Sequence, residues 1–468
     1  MKFLLFGTGD YYERYKKWFE KDEITALLDN SSRKQSTLID GVKVLSPEEG
    51  IQLEFDAIVI LSFYVKAMKA QLAGLGVDEK RIYHFYDLHR LFQGRATHRP
   101  VKYYGIKEDA IRNKNCGKKR ILLLSHDLTL GGPALALCHA AEVLCSRGYE
   151  IVFASMLDGS LRQHLLERHI PVIVDENLQI QTMRETLWVL NFDLMICNTI
   201  NYHVFLSDRA TEIPAVWWLH DSVFFYDGVE KRILRGIDTN KLDIVSVGPV
   251  PRNAMQTFVL DLPIRDLLYG VVDEKGKRND LDTGKKSGRF RFMTIGYIES
   301  RKGQDVLIAA VKLLRKEILS QCEFYLVGQD TSMLAEQIKD EIKNIPQVVM
   351  KGSVGRVEIN RLLRETDMMI CPSREDPMPT VVAEAMMHSV PCILSDAAGT
   401  AAYISNGENG LIFVSEDSKE LAEKIEWCVL HKENAVRMGS EARIIYENIF
   451  SMNVFERNLL ETVDRNIR

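Results

Sequence analysis

Short apolar runs alternate with segments of helical period along this chain, and they do so in three successive blocks. The first block has buried-strand runs KFLLF, ITALL (Ile24–Leu28), FDAIVILS (Phe55–Ser62) and RIYHF, with a helical YYERYKKWF after the first. The second has RILLLS (Arg120–Ser125), the apolar helix ALALCHAAEVLCSRG, then EIVFAS, FDLMIC, IPAVWWLHD and LDIVSVG. The third runs through FRFMTIG, EFYLVG, QVVMKG, DMMIC and PCILS. Strand and helix periods that alternate in this way predict parallel α/β units, and there are three of them. The expected architecture is two doubly wound domains facing a cleft, preceded by a small extra Rossmann-like α/β domain.

Boundaries follow from composition. The first unit spans residues 1–95, and a basic linker (96–117) leads to a second unit at 118–275. A charged, glycine-rich stretch gives a second linker at 276–289, and the third unit covers 290–448. Residues 449–468 read as an amphipathic helix after a break near Ser451, crossing back to the second unit. Asp280 and Asp282 in the second linker read as solvated rather than as a metal pair.

Bulk properties narrow the function classes. Apolar residues are 46% and charged residues 27% of 468, as in ordinary globular domains, and the net charge of −5 suggests no nucleic-acid partner. Eight scattered cysteines without metal-ligand spacing predict reduced core thiols. The longest apolar stretches fall short of the roughly 18 residues of a membrane span, and no signal-peptide h-region precedes Gly7. A cytoplasmic protein is expected. The basic run Arg95, His98, Arg99, Lys102, Lys107, Arg112, Lys114, Lys118, Lys119 and Arg120 is either a solvated linker or a patch for peripheral contact with anionic lipid at the inner membrane face.

Candidate chemistry concentrates in PSREDPMPTVVAEAM (372–386). Three prolines force the chain to turn after the strand MMIC, and Pro379 and Thr380 suit the first turn of a helix. Asp376 in the loop and Glu384 in the helix put two acids beside a helix start, where the dipole favours anions. Upstream, Arg301 and Lys302 occupy another strand-to-helix loop, where cations can neutralise a leaving pyrophosphate without a divalent metal. In the first unit Gly7-Thr8-Gly9 follows a strand, and Asp29 ends the next one. Tyr12 stands where the third glycine of a dinucleotide fingerprint belongs, so a Rossmann-like fold without bound cofactor is expected there.

These segments together resemble family-4 retaining glycosyltransferases of the GT-B fold. The likeness is carried by GYIESRKGQDVLIAA, FYLVGQD, VVMKGSV and CPSREDPMPTVVAEAMMHSVPCILSDAAGTAAYISNGENGLIF, with LTLGGP, WWLHD and YGVVD earlier. It implies that Lys302, helped by Arg301, holds the donor diphosphate, that Glu384 accepts hydrogen bonds from the ribose hydroxyls, and that Asp376 meets the donor sugar. Main chain from Met378, Pro379, Thr380 and Val381 would cradle the phosphates, and Ser353 and Val354 would face the nucleobase. Gly131 and Gly132 would let their loop approach closely, and His220 would touch the transferred sugar.

Some positions depart from the family pattern. Tyr297 replaces an arginine, Asp376 a glutamate, and Ala398 and Ala402 a glycine and a glutamate. The resemblance implies a metal-independent enzyme without cofactor, whose partners are a nucleotide-sugar and a glycan, lipid-linked or protein acceptor, in surface polysaccharide or glycoconjugate synthesis. The alternatives are an epimerase or phosphorylase on the same fold, and a non-catalytic sugar- or partner-binding subunit of a transferase complex.

Overall fold

Each block closes into its own sheet. The computed structural model describes residues 1–92, 99–112, 117–259, 261–275 and 288–467. The first unit orders its strands Leu38–Ile39, Val42–Leu45, Ile24–Leu28, Phe3–Phe6, Ala57–Ile60, Ile82–His84. All pair in parallel except the edge hairpin, whose Asp40-Gly41 turn has positive φ at both residues, as a tight hairpin demands. The third unit is fully parallel, in the order Val348–Gly352, Cys322–Val327, Phe290–Ile295, Met368–Cys371, Cys392–Ser395, Gly410–Phe413.

The second unit has eight strands: Ile264–Asp266, Leu242–Ser246, Ala215–Leu219, Leu194–Asn198, Arg120–Ser125, Glu150–Ser155, Val172–Val174 and Lys102–Tyr104. In all three sheets the winding reverses beside the first long strand, and loops at the carboxyl ends there form a crevice suited to ligands. Several strands at or next to a sheet edge escape the apolar pattern because they are short or half polar: Val42–Leu45 carries an exposed lysine, and Ile264–Asp266 ends in two exposed residues.

The second sheet is buried on both faces, which is why its strands are continuous apolar runs. Leu122, Leu124, Val152 and Ala154 share a core with the first unit. Ile121, Leu123, Ile151 and Phe153 face the other way, into a core shared with the third unit. The chain returns from the third unit where Val271 bridges Ser451, and helix Met452–Asn466 then lies on the second unit. Phe455 stacks on Trp218 at 5.8 Å, and the Tyr149 hydroxyl donates to Asp464 at 3.2 Å.

The stretch read as a basic linker is partly internal. Lys102–Tyr104 adds an antiparallel edge to the second sheet. Arg120 is buried, paired with Glu150 at 2.9 Å and lying 5.0 Å from the Phe192 ring centre. Arg99 sits over Trp18 beside Glu176. Those two guanidiniums are occupied within the protein and do not form an open lipid-facing patch. Arg95, His98, Lys114, Cys116 and the linker residues 276–287, including Asp280 and Asp282, lie outside the described residues, as does the Arg112 side chain. Among the described residues no helix is long and apolar enough to cross a membrane.

Candidate active site

The third unit brings its two charged loops together because strands Phe290–Ile295 and Met368–Cys371 are neighbours at the switch point. A 3-10 turn at Ser300–Lys302 ends on Gly303 in the left-handed region, φ 68°. A Cβ at Gly303 would lie 2.0 Å from the Pro372 carbonyl oxygen, so only glycine lets the two loops meet. Lys302 Nζ then reaches Asp376 Oδ2 at 2.5 Å. Arg301 donates to the Glu375 carbonyl at 3.0 Å and pairs with Glu299 at 2.7 Å. Arg374 grips both oxygens of Asp305, at 2.9 and 2.7 Å, and fixes the outer side of the loop. Ala398, at the departure from the family pattern, is buried in an isolated bridge with Asp376.

Helix Thr380–Met387 starts without a side-chain cap, after Pro379 in extended conformation. Its first-turn N–H groups therefore point toward the cleft with the positive end of the dipole. Pro379 itself has no N–H, so the phosphate cradle inferred from the sequence reduces to the amides of its neighbours. Glu384, one turn further on, is buried and pairs through Oε1 with Arg356 at 2.8 Å. Its Oε2 is buried with no hydrogen-bond partner among the described residues. Arg356 opens the helix that follows Ser353 and Val354, which puts that loop and Glu384 side by side.

Across the cleft, Gly131 precedes helix Gly132–Ser146 in extended conformation, and Gly132 faces Thr380. His220 and Asp221 follow the buried strand Ala215–Leu219, and both are buried. Burial holds the His220 imidazole neutral, with its pKa lowered to about 3. Burial pushes the Asp221 carboxyl up to about 7, although the backbone N–H groups of Ile200 (2.7 Å) and His220 favour its charge. His220 Nε2 and the Tyr269 hydroxyl are buried without partners. The Tyr269 phenol is raised well above its ordinary value by burial and by the charges of Glu384 and Asp376.

One cavity of about 430 Å³ collects Arg301, Lys302, Asp376, Met378, Pro379, Thr380, Gly132 and His220. Gly131, Val381, Ser353, Val354 and Glu384 do not line it; Glu384 is held instead by Arg356, just beyond the Ser353 loop. Cavities of 550 and 460 Å³ around Lys119 and Trp188 are larger and carry charged groups of their own, but neither is lined by the charged loops 299–303 and 372–380, so size does not identify the site. Sequence reasoning passed over Asp221, Tyr269 and Arg356. Asp221 and Tyr269 lie inside the quoted WWLHD and YGVVD, so a cleft-facing acid and phenol were within reach. Arg356 carried no signal.

Comparison with known proteins agrees with this geometry. Residues 277–444 match the family described as Glycosyl transferases group 1, residues 117–241 that described as Glycosyl-transferase family 4, and residues 1–83 that described as C2185-like, N-terminal. The chain is 24% identical over 370 residues to Spore coat protein SA of Bacillus subtilis (strain 168), covering 72% of this chain and 95% of that one. It is 23% identical over 152 residues to UDP-Gal:alpha-D-GlcNAc-diphosphoundecaprenol alpha-1,3-galactosyltransferase of Escherichia coli, 32% of this chain and 39% of that one. HepE of Anabaena, solved with UDP and glucose, superposes with a TM-score of 0.63 at 20% identity, covering 74% of this chain and all of that one (100%). From residue 117 onward, then, the chain belongs to the group 1, family-4-like glycosyltransferases of the GT-B fold.

Proposed function

We propose that the protein transfers a sugar, with retention of anomeric configuration and without a metal ion, from a nucleotide-diphosphate-sugar to a hydroxyl acceptor. The observation that carries this reading is the convergence of Lys302, Asp376 and the uncapped start of helix Thr380–Met387 on one cleft, with the half-satisfied Glu384 beyond it. Glu384 Oε2 and Oε1 are suited to the two ribose hydroxyls, since a carboxylate accepts both at once. Lys302, Arg301 and the helix start offset the charge of the departing diphosphate, the work a divalent cation would otherwise do.

Asp376 orients Lys302 and is expected to meet hydroxyls of the donor sugar. His220, neutral at working pH, serves the transferred sugar as a hydrogen-bonding group and not as an acid. Among the described residues no side chain in the cleft is a nucleophile activated by an adjacent base, which fits front-face attack: the acceptor hydroxyl joins the anomeric carbon as the phosphate oxygen leaves and takes its proton. HepE was solved with UDP-glucose, which supports a nucleotide-sugar donor, and the galactosyltransferase of Escherichia coli has a diphosphoundecaprenol-linked acceptor, which supports a role in surface polysaccharide or glycoconjugate synthesis.

The test is nucleotide release from a panel of UDP-, GDP-, dTDP- and ADP-sugars in the presence of a chelator. One donor class is expected to turn over, with the product anomer matching the donor. If no donor is bound or turned over, and Lys302→Ala changes nothing, the transferase reading falls and the non-catalytic subunit takes its place.

A further inference from the structure

The transferase cleft has a wall that neither GT-B unit supplies. Asp10, Tyr11, Arg14 and Phe63 of the first unit line the same 430 Å³ cavity as Lys302, Asp376 and His220. They come from the carboxyl ends of strands Phe3–Phe6 and Ala57–Ile60, so the first unit turns its own switch-point crevice toward the active site. Its placement there is firm. Arg14 reaches Asp127 at 3.5 Å, Lys17 reaches Glu176 at 2.6 Å and Arg90 reaches Glu230 at 2.7 Å. A Cβ at Gly228 would come within 2.8 Å of His84, so the second unit is fitted closely against the first.

The wall is aromatic. The Tyr11 ring meets Phe63 at 4.4 Å and Phe85 at 4.8 Å, and Phe63 meets Phe225 of the second unit at 4.9 Å. Next along the chain, the Phe224 N–H donates to Glu375 at 3.1 Å, the residue before the donor-side Asp376. The first unit, the second unit and the donor loop are thus joined through adjacent residues. The same cavity is lined by His220, with Nε2 unpartnered and next to Asp221 in the chain, and by His126, with Nδ1 unpartnered and Nε2 3.4 Å from Asp127. Flat apolar rings on one side and orphaned hydrogen-bonding groups on the other are complementary to a sugar ring, whose C–H face stacks and whose hydroxyl edge bonds.

We propose that the first unit completes the acceptor site: the acceptor is a carbohydrate whose terminal ring stacks on Tyr11 and Phe63 and turns its hydroxyls toward His126 and Asp221, leaving His220 to the transferred sugar. This rests on the transferase reading. It assigns the first unit the choice of acceptor, where sequence alone marked it as accessory.

The test uses the full-length protein, the donor found in the panel, and p-nitrophenyl glycosides of glucose, galactose, N-acetylglucosamine and mannose as acceptors. Tyr11→Ala is expected to raise the acceptor KM by about tenfold, the value of a lost aromatic stack, while the donor KM moves by less than about twofold. Tyr11→Phe keeps the ring and should restore the acceptor KM. Asp10→Asn, at an exposed position that cannot disturb the core, checks the same split by a second route. An unchanged acceptor KM in Tyr11→Ala and Asp10→Asn overturns the proposal while leaving the transferase reading intact. So does a parallel rise in both KM values, which marks Tyr11 as merely structural. A wild type that hydrolyses donor yet accepts none of the glycosides overturns the carbohydrate assignment. A wild type that consumes no donor removes both readings together.

Discussion

The first and third units use the same device and load it differently. Each has a glycine-punctuated turn after its first strand, and each holds a lysine against an aspartate near the switch point. In the first unit Lys34 lies 3.3 Å from Asp29, and its side chain is 44% exposed. In the third, Lys302 lies 2.5 Å from Asp376 and is 21% exposed. The helix after the first turn, Asp10–Tyr15, carries Asp10 and Glu13 in its first turn, which already offset the dipole. In the third unit the helix after the corresponding turn, Gln304–Leu313, carries Asp305 there, but the neighbouring helix Thr380–Met387 has no acid. On the proposed function, a phosphate is expected to gain from that helix start and not from the first unit's. Topology supplies a crevice in both; the charges placed around it decide what enters.

The sharpest way to break this contrast is to remove the two lysines in turn. Lys302→Ala is expected to cut turnover by about 10²–10³-fold, as for loss of a donor that stabilises developing charge. Lys34→Ala, which removes a half-exposed pair, should change turnover by less than about twofold. Equal losses in both variants would mean that the first unit holds part of the donor. The acids give a second comparison. Glu384→Gln should raise the donor KM by about 10–100-fold, the cost of losing charged hydrogen bonds, whereas Asp29→Asn should leave it unchanged. An unaffected donor KM in Glu384→Gln would remove the ribose assignment.

Much of the third unit was legible because its signals are local. The prolines of 372–379, the apolar strand before them and the acid in the following helix all lie within one short segment, and a periodic pattern suffices to place them. The family's likeness added the roles. What stayed hidden depends on contacts between distant segments. Arg14 meets Asp127 only because the first unit docks on the second, and nothing near either residue announces that pairing. Arg120 and Arg99 read as surface charge from a basic run, yet aromatic rings and carboxylates far along the chain bury or pair them. Short edge strands such as Lys102–Tyr104 were missed because three residues cannot show a period.

Both turns hold a constrained glycine: Gly303 is left-handed and pressed on the Pro372 carbonyl, and Gly7 has φ 112° and is pressed on the Leu61 carbonyl, whereas Gly9 is extended with nothing within 4 Å of an added Cβ. Gly303→Ala should destabilise the protein by about 1–3 kcal/mol and draw Lys302 away from Asp376. Gly9→Ala should be nearly neutral in a thermal unfolding experiment. Equal losses would show that Gly9 is as tightly constrained as Gly303.

The smallest expected difference lies in titration. Burial opposes the charge of Asp29, yet Thr8, the Ser31 N–H and Lys34 together hold its carboxyl below the ordinary range. Its contribution is present above the unfolded pKa and is lost as the pH falls through the lower folded value. Asp221, facing the cleft, runs the other way. Its folded pKa of about 7 lies above the ordinary 3.8, so the native state keeps a proton that the unfolded chain gives up. Stability therefore declines as the pH rises from about 4 to about 7 and is level beyond. The nearby His220 and His126 are held neutral by burial and supply little charge to counter this. Asp221→Asn keeps an oxygen to accept the Ile200 N–H and removes the titration. Relative to wild type, the variant should gain stability between pH 5 and pH 8 in urea unfolding. A difference that is the same at both pH values would mean that Asp221 is charged in the native cleft, so that its burial costs no proton and the contrast with Asp29 disappears.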